Sequence, residues 1–72
     1  MSYAKLRGRI REMYGTQEAF ANAIGLSKVA LSMRLNNKTK WTVADLAKAK
    51  DALQIKDDEI PAYFFSPFVN TL

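Results

Sequence analysis

The sequence predicts an all-α fold, a compact bundle of four to five short helices. Apolar side chains recur at steps of three and four residues through most of the chain, which is the period of one helix face. Good capping residues and glycine turns separate these stretches. With 49% hydrophobic and 25% charged residues, the composition is that of a globular domain. A chain of 72 residues has room for one core, so residues 1–72 are predicted to form a single domain.

The first predicted helix is amphipathic and ends near Gly15. Its apolar face carries Tyr3, Leu6, Ile10 and Met13 at helical spacing. Its other face is basic, because every second residue from position 5 to position 11 is Lys or Arg. Like charges four residues apart repel each other weakly in an isolated helix, so a nearby phosphate would stabilise this face. A solvated surface that aids solubility is the alternative.

Residues 17–40 predict a helix-turn-helix. Thr16 is a good N-cap for the first of its two helices, and Gly25 suits the left-handed backbone at the end of that helix. Ser27 can cap the second helix in the same way. The apolar positions share one face in each helix, with Phe20, Ala21 and Ile24 in the first and Leu31 and Leu35 in the second. Two short helices joined at one glycine are the layout of a DNA-binding motif.

The outward face of the second motif helix is the candidate recognition surface. It carries Ser27, Lys28, Val29, Ser32 and Met33. In a helix-turn-helix, the N-terminal part of the second helix enters the major groove, so these side chains would contact base edges. Duplex DNA is therefore the predicted partner.

Another helix is predicted after Thr42, which can form an approximate capping box with Asp45. Trp41 is expected to cover the core beneath the loop that leads into this helix. The predicted core face of the helix consists of Val43, Leu46, Ala47 and Leu53.

Residues 57–72 are predicted to form a short C-terminal helix followed by an apolar tail. Three acidic residues at positions 57–59 favour a helix N-terminus, and Pro61 is tolerated in a first turn. The aromatic residues expected to pack back on the bundle are Tyr63, Phe64 and Phe65. The apolar side chains of the tail are Phe68, Val69 and Leu72. Two roles remain open for them: they would cover the chain's own core, or they would contact a second subunit or another protein.

Basic charge is concentrated in the part of the chain that carries the motif. The whole chain has 11 Lys and Arg against 7 Asp and Glu, a net charge of +4. Residues 1–40 hold eight basic and two acidic side chains, whereas residues 41–72 hold three basic and five acidic ones. An excess of positive charge beside the motif is the electrostatic pattern expected for phosphate binding.

The residue types argue against several classes of function. The sequence has no Cys and no His, which removes disulfides, thiolate chemistry, most zinc sites and the commonest general base. We therefore expect no enzyme, no metal, no cofactor and no small-molecule substrate. No apolar stretch has the length of a signal peptide or a membrane span. The expected location is the cytoplasm of a bacterial host cell, with no membrane partner.

Five motif positions and the loop after them resemble the phage repressor and Cro-like helix-turn-helix family. They are Gln17, Ala21, Gly25, Ser27 and Leu31, followed by NNKTK at residues 36–40. The resemblance covers about the first 55 residues, and the later segment DDEIPAYFF resembles small Cro-like regulators of temperate phages of Gram-positive bacteria. It implies a lambda repressor-like bundle that binds operator DNA in a lysis or lysogeny switch, commonly as a homodimer on a pseudo-palindrome.

The same resemblance implies which residues bind phosphate. Gln17 would contact a phosphate at the start of the first motif helix. The backbone beside the groove would be contacted by Asn37, Lys38 and Lys40. Arg9, on the basic first helix, is a further candidate. Arg34 stands where the family usually has an apolar residue. If Leu35 packs in its place, Arg34 points outward toward a phosphate or a partner.

Two functions from different classes remain open. The first is a Cro-like transcriptional regulator that reads operator DNA, but Lys28 is the only long hydrogen-bonding side chain near the start of its recognition helix. The second is an antirepressor or modulator that uses the same surface, or the apolar tail, to bind a phage repressor protein. Exposed Val29 and Met33 suit a protein groove at least as well as a DNA groove.

Overall fold

The computed structural model describes residues 3–65, and the described part is entirely helical, which confirms the predicted fold class. It contains the helices Ala4–Tyr14 (α1), Gln17–Ala23 (α2), Lys28–Leu35 (α3) and Val43–Ala52 (α4), then a 3₁₀ turn, Asp57–Glu59, and a π-helical segment, Pro61–Phe65. Within this range no helix is both long enough and apolar enough to cross a membrane. The predictions for Phe68, Val69 and Leu72 fall outside the described residues.

Helices α2, α3 and α4 each begin at the capping residue that the sequence predicts. The side-chain oxygens of Thr16 and Ser27 accept hydrogen bonds from backbone N–H groups three residues later, at 3.1 and 3.0 Å. At α4 the capping box is complete, because Thr42 Oγ1 accepts from the Asp45 N–H at 3.0 Å and Asp45 Oδ2 accepts from the Thr42 N–H at 3.2 Å. Each such cap stabilises its helix by about 1 kcal/mol.

The same three helices end in one type of hydrogen-bonded turn, in which a residue with positive φ follows the last turn of the helix. After α2 this residue is Gly25, with φ 75°, as predicted. After α3 it is Asn37, with φ 62°, and after α4 it is Gln54, with φ 55°. In each case the next N–H bonds back to a carbonyl five residues earlier, at 2.8 to 2.9 Å. The chain thus reverses direction without leaving those carbonyls unpaired.

The core is formed by one face from each helix. The predicted faces of α1, α2 and α3 are confirmed, and the structure adds Ala49 of α4 and Ile55 after it. The buried residues are Tyr3, Leu6, Ile10, Phe20, Ala21, Ile24, Leu31, Leu35, Ala49, Leu53, Ile55 and Phe64. Met13 and Leu26 pack against this cluster at its edge.

The predicted core face of α4 is wrong for two residues. Val43 is 84% exposed, and Ala47 is exposed as well. The buried face of α4 is centred on Ala49 and Leu53, and at 3.6 residues per turn Val43 and Ala47 lie to one side of it. Leu46 is partly buried against the core.

Aromatic packing closes the bundle where α1, α4 and the C-terminal segment meet. Trp41 lies edge-on to both Tyr3 and Phe64, with ring centroids 6.5 and 5.2 Å away, which confirms that it covers the core. Tyr63 and Phe64 pack back on the bundle as predicted, whereas Phe65 is exposed.

Candidate functional site

The outward face of α3, which we call the α3 face, consists of Ser27, Lys28, Val29, Ser32 and Met33. Val29 is 69% exposed and Met33 is 41% exposed, although both are large apolar side chains one helical turn apart. Lys28 beside them is exposed. Leu31 and Leu35, on the opposite side of the helix, are buried. The local sequence decides this orientation, because the two leucines fix the inward side of α3.

Both serines of the α3 face already take part in hydrogen bonds. Ser27 Oγ accepts from the Ala30 N–H at 3.0 Å, and Ser32 Oγ accepts from Asn36 Nδ2 at 3.2 Å. The Asn36 amide also donates to the Ser32 carbonyl at 2.9 Å. Each serine hydroxyl can still donate its own hydrogen. These hydrogen bonds hold the two serines in place, and each serine can still donate one hydrogen bond to a ligand.

The loop after α3 presents two of the predicted phosphate-binding lysines. Lys38 and Lys40 are both exposed, as is Asn37, whose positive φ turns the chain away from the helix. Within residues 3–65, no carboxylate forms an ion pair with Lys28, Lys38 or Lys40. The charges of these three exposed lysines are therefore not neutralised by a described carboxylate.

The prediction that Arg34 points outward is wrong. Its Nε donates to Asp45 Oδ2 at 2.8 Å, its NH1 donates to the Ala30 carbonyl at 3.0 Å, and both charged side chains are only 14% exposed. Partial burial alone would raise the pKa of the Asp45 carboxyl, but the hydrogen bonds from Arg34 and Thr42 outweigh burial and hold that pKa below its ordinary value. Leu35 is buried in the core, as expected if it packs in place of the residue at position 34. Arg34 ties α3 to the start of α4.

Arg9 is also engaged within the chain. Its Nε donates to the Leu53 carbonyl at 3.0 Å, and its NH1 donates to Glu12 Oε1 at 3.1 Å. The guanidinium thereby ties α1 to the end of α4 and is neutralised by a carboxylate on its own helix. This arrangement favours a structural role for Arg9 over the predicted phosphate contact.

A small polar pocket of about 220 Å³ lies between α1 and the start of α2, and we call it the basic pocket. Its lining residues are Arg7, Ile10, Arg11, Gly15, Thr16 and Gln17. Arg7 is fixed in place, because its NH2 donates at 3.0 Å to both the Leu35 carbonyl and Asn36 Oδ1. Of this set, the sequence alone indicated only Gln17 as a site residue. Arg7 and Asn36 lie 29 positions apart, so no local pattern predicts their contact.

An apolar groove of about 330 Å³, which we call the aromatic groove, is lined by the side chains of Tyr3, Trp41, Leu46, Phe64 and Phe65, with Lys40 among its polar residues. Trp41 Nε1 is buried and has no hydrogen-bond acceptor among the described residues. Burial raises the pKa of the Tyr3 hydroxyl, and the nearby indole N–H opposes part of that rise without reaching hydrogen-bond geometry. The aromatic spacing in the sequence predicts core packing but not a groove.

The model of the protein of unknown function (DUF739) family matches residues 1–67. The chain belongs to this family. Among solved structures, the chain is similar to the solution structure of the modulator of repression (MOR) of the temperate bacteriophage TP901-1 from Lactococcus lactis, with 42% identity and a TM-score of 0.81. The match covers 90% of this chain and 88% of that one. No curated protein matches.

This similarity supports a role as a phage regulator for this member of the family. Val29 and Met33 are exposed on the α3 face next to Lys28, and within residues 3–65 Lys28, Lys38 and Lys40 form no ion pair. The basic pocket adds two arginines, Arg7 and Arg11. Within residues 3–65, no group of three acidic, His or Cys side chains is placed to hold a metal ion.

Proposed function

We propose that this protein modulates a phage repressor by binding the repressor through the α3 face. The observation that carries the proposal is the exposure of Val29 and Met33, two large apolar side chains one turn apart on the same helix. Anchors at positions i and i+4 are the means by which a helix fits a groove on another protein. Methionine is enriched in protein interfaces. The exposed Lys28 beside them adds charge at the rim.

The side chains available on α3 favour protein over DNA as the ligand of this face. Bases are discriminated mainly by bidentate side chains such as Arg, Asn and Gln. Lys28 is the only long hydrogen-bonding side chain on the α3 face, and Arg34 is drawn away by Asp45 at 2.8 Å. The similarity to a protein that is itself a modulator of repression agrees with this assignment.

The experiment is a binding measurement with a phage repressor encoded in the same genome as this protein. We expect the wild-type protein to co-purify with it, and Met33→Asp to weaken binding by about 2 kcal/mol or more, because a charge in the apolar centre of an interface loses its hydration. The matched control is Val43→Asp, which places the same charge at an apolar residue that is 84% exposed on α4. Equal affinity of Met33→Asp and wild type would remove the α3 face from the interface.

A second candidate function is a Cro-like regulator that binds operator DNA through a helix-turn-helix. It is favoured by Lys28, Lys38 and Lys40, which form no ion pair within residues 3–65. In that case Lys28→Ala should weaken binding to a cognate operator by about 1 to 3 kcal/mol, while Lys38→Ala should weaken specific and non-specific DNA binding alike. The logarithm of affinity should fall with the logarithm of salt concentration, with a slope near −0.9 per neutralised phosphate. Unchanged operator affinity in both variants would count against this function.

A further inference from the structure

We propose that the basic pocket receives a carboxylate side chain of the protein partner, so that this partner contacts Arg7 and Arg11 as well as the α3 face. The inference rests on the proposed repressor-binding function and adds a second, chemically distinct contact. It specifies the partner surface as an acidic residue next to an apolar patch.

The two arginines of the pocket differ in their ion pairing from the other two arginines of the described chain. Arg9 has Glu12 at 3.1 Å and Arg34 has Asp45 at 2.8 Å. Within residues 3–65, neither Arg7 nor Arg11 has a carboxylate within ion-pair distance. They are four residues apart on α1 and line the same pocket of about 220 Å³. An anion placed between them would relieve the repulsion of two like charges at that spacing.

The donors of the pocket suit a carboxylate. Arg7 is held by two uncharged acceptors at one nitrogen, the Leu35 carbonyl and Asn36 Oδ1, which leaves its other N–H groups to donate. A guanidinium binds a carboxylate through two parallel hydrogen bonds, and an arginine that is already fixed loses less entropy in doing so. The Thr16 oxygen accepts from the Ala19 N–H at 3.1 Å, so its hydroxyl hydrogen can donate. Among the described residues that line the pocket, none is acidic.

A hydrogen-bond chain joins the pocket to the α3 face. Arg7 donates to Asn36 Oδ1 at 3.0 Å, and the other end of the Asn36 amide donates to Ser32 Oγ at 3.2 Å. Ser32 precedes Met33 on the α3 face. One partner surface can therefore cover Met33 and reach Arg7. A phosphodiester would satisfy the same donors, but the exposed apolar side chains at the other end of this chain favour a protein that presents a carboxylate.

The first test uses Arg11, which is exposed and can be changed without removing an internal ion pair. We expect Arg11→Gln to weaken repressor binding by about tenfold, as for the loss of one charge-assisted hydrogen bond. Arg11→Lys should recover only part of the loss, because lysine keeps the charge and lacks the bidentate fork. The control Lys48→Gln removes one exposed charge on α4 and should leave the affinity unchanged. Equal affinity of Arg11→Gln and Lys48→Gln would overturn the inference while Met33→Asp still tests the proposed function.

The second test does not need the repressor. Acetate and dimethyl phosphate are titrated separately into the ¹⁵N-labelled protein, and the resonances of the Gln17 amide and the Arg11 Nε–H are followed. Saturable shifts with acetate that disappear in Arg11→Gln support a carboxylate site, even if the repressor proves not to be the partner. Shifts that saturate with dimethyl phosphate alone, or tighter binding of promoter DNA that depends on Arg11, would assign the pocket to a phosphate and overturn the inference.

Discussion

The two sides of the bundle use their basic residues differently. On the side of α4, the chain itself supplies acceptors: Arg9 bonds to Leu53 and Glu12, and Arg34 bonds to Asp45. On the side of α2 and α3, Arg11 and the lysines of the α3 face and its loop have no carboxylate among the described residues. All these arginines and lysines belong to residues 1–40, the basic part of the sequence. The local excess of positive charge therefore does not tell which of these basic residues bind acceptors within the chain.

The largest effect should come from breaking the ion pair that joins α3 to α4. We predict that Arg34→Ala lowers the free energy of unfolding by about 2 to 3 kcal/mol, because it leaves a mostly buried Asp45 without its charged partner. Urea denaturation measures the change, with Lys48→Ala as the control for loss of an exposed lysine. A loss below about 0.5 kcal/mol, the range of ordinary surface changes, would show that the pair does not stabilise the fold.

A smaller effect of the same pair should appear in the pH dependence of stability. The pKa of Asp45 is lowered in the folded protein from its ordinary value of 3.8. Its contribution is therefore fully present above pH 3.8 and is lost as the pH falls through the lower, folded-state pKa. Thermal unfolding of wild type and Asp45→Asn should differ in slope below pH 3.8 and run parallel above it. Identical slopes in the acidic range would contradict the assignment.

A moderate gain should follow from relieving the backbone at the end of α4. Gln54 has φ 55°, a conformation that glycine adopts without steric cost. We predict that Gln54→Gly raises the free energy of unfolding by about 0.5 to 1 kcal/mol. Gln54→Ala removes the side chain while keeping the strain, and it should not stabilise. Equal stability of the glycine and alanine variants would show that the left-handed backbone costs little here.

The smallest effect on stability should come from Arg11→Ala. We expect a change within about 0.5 kcal/mol, because Arg11 has no ion pair among residues 3–65 and its removal relieves repulsion by Arg7. Thermal unfolding at low salt is the measurement, since screening is weakest there. A loss as large as that of Arg34→Ala would mean that Arg11 also holds the fold together, and the contrast between the two sides would disappear.

The features of the fold that were predicted correctly depend on neighbouring residues. The caps at Thr16, Ser27 and Thr42, and the turn at Gly25, are chemical preferences of single positions, and all four occur in the structure. The face of α4 was predicted less well, because a helix that packs at the edge of a bundle has its exposed side set by its neighbours. Val43 continues the apolar period and nevertheless lies in solvent.

For the candidate site, the sequence predicts which side chains lie on the outward face of α3. It does not predict which arginines and lysines lack an ion-pair partner among the described residues. Leu31 and Leu35 determine the outward side of α3, so the exposure of Val29 and Met33 follows from spacing. The partners of the arginines do not follow from spacing. Arg34 bonds to Asp45, which is 11 positions away, and Arg9 bonds to a carbonyl that is 44 positions away. Only the packed helices bring these groups together.

Hydrogen exchange at the indole N–H of Trp41 can report motions of the aromatic groove. Trp41 is the one tryptophan in the sequence, and its N–H is buried without an acceptor among the described residues. Burial of this N–H slows the exchange of its proton with solvent. The rate at which deuterium replaces the proton consequently measures how often this end of the bundle opens, separately from unfolding of the whole chain.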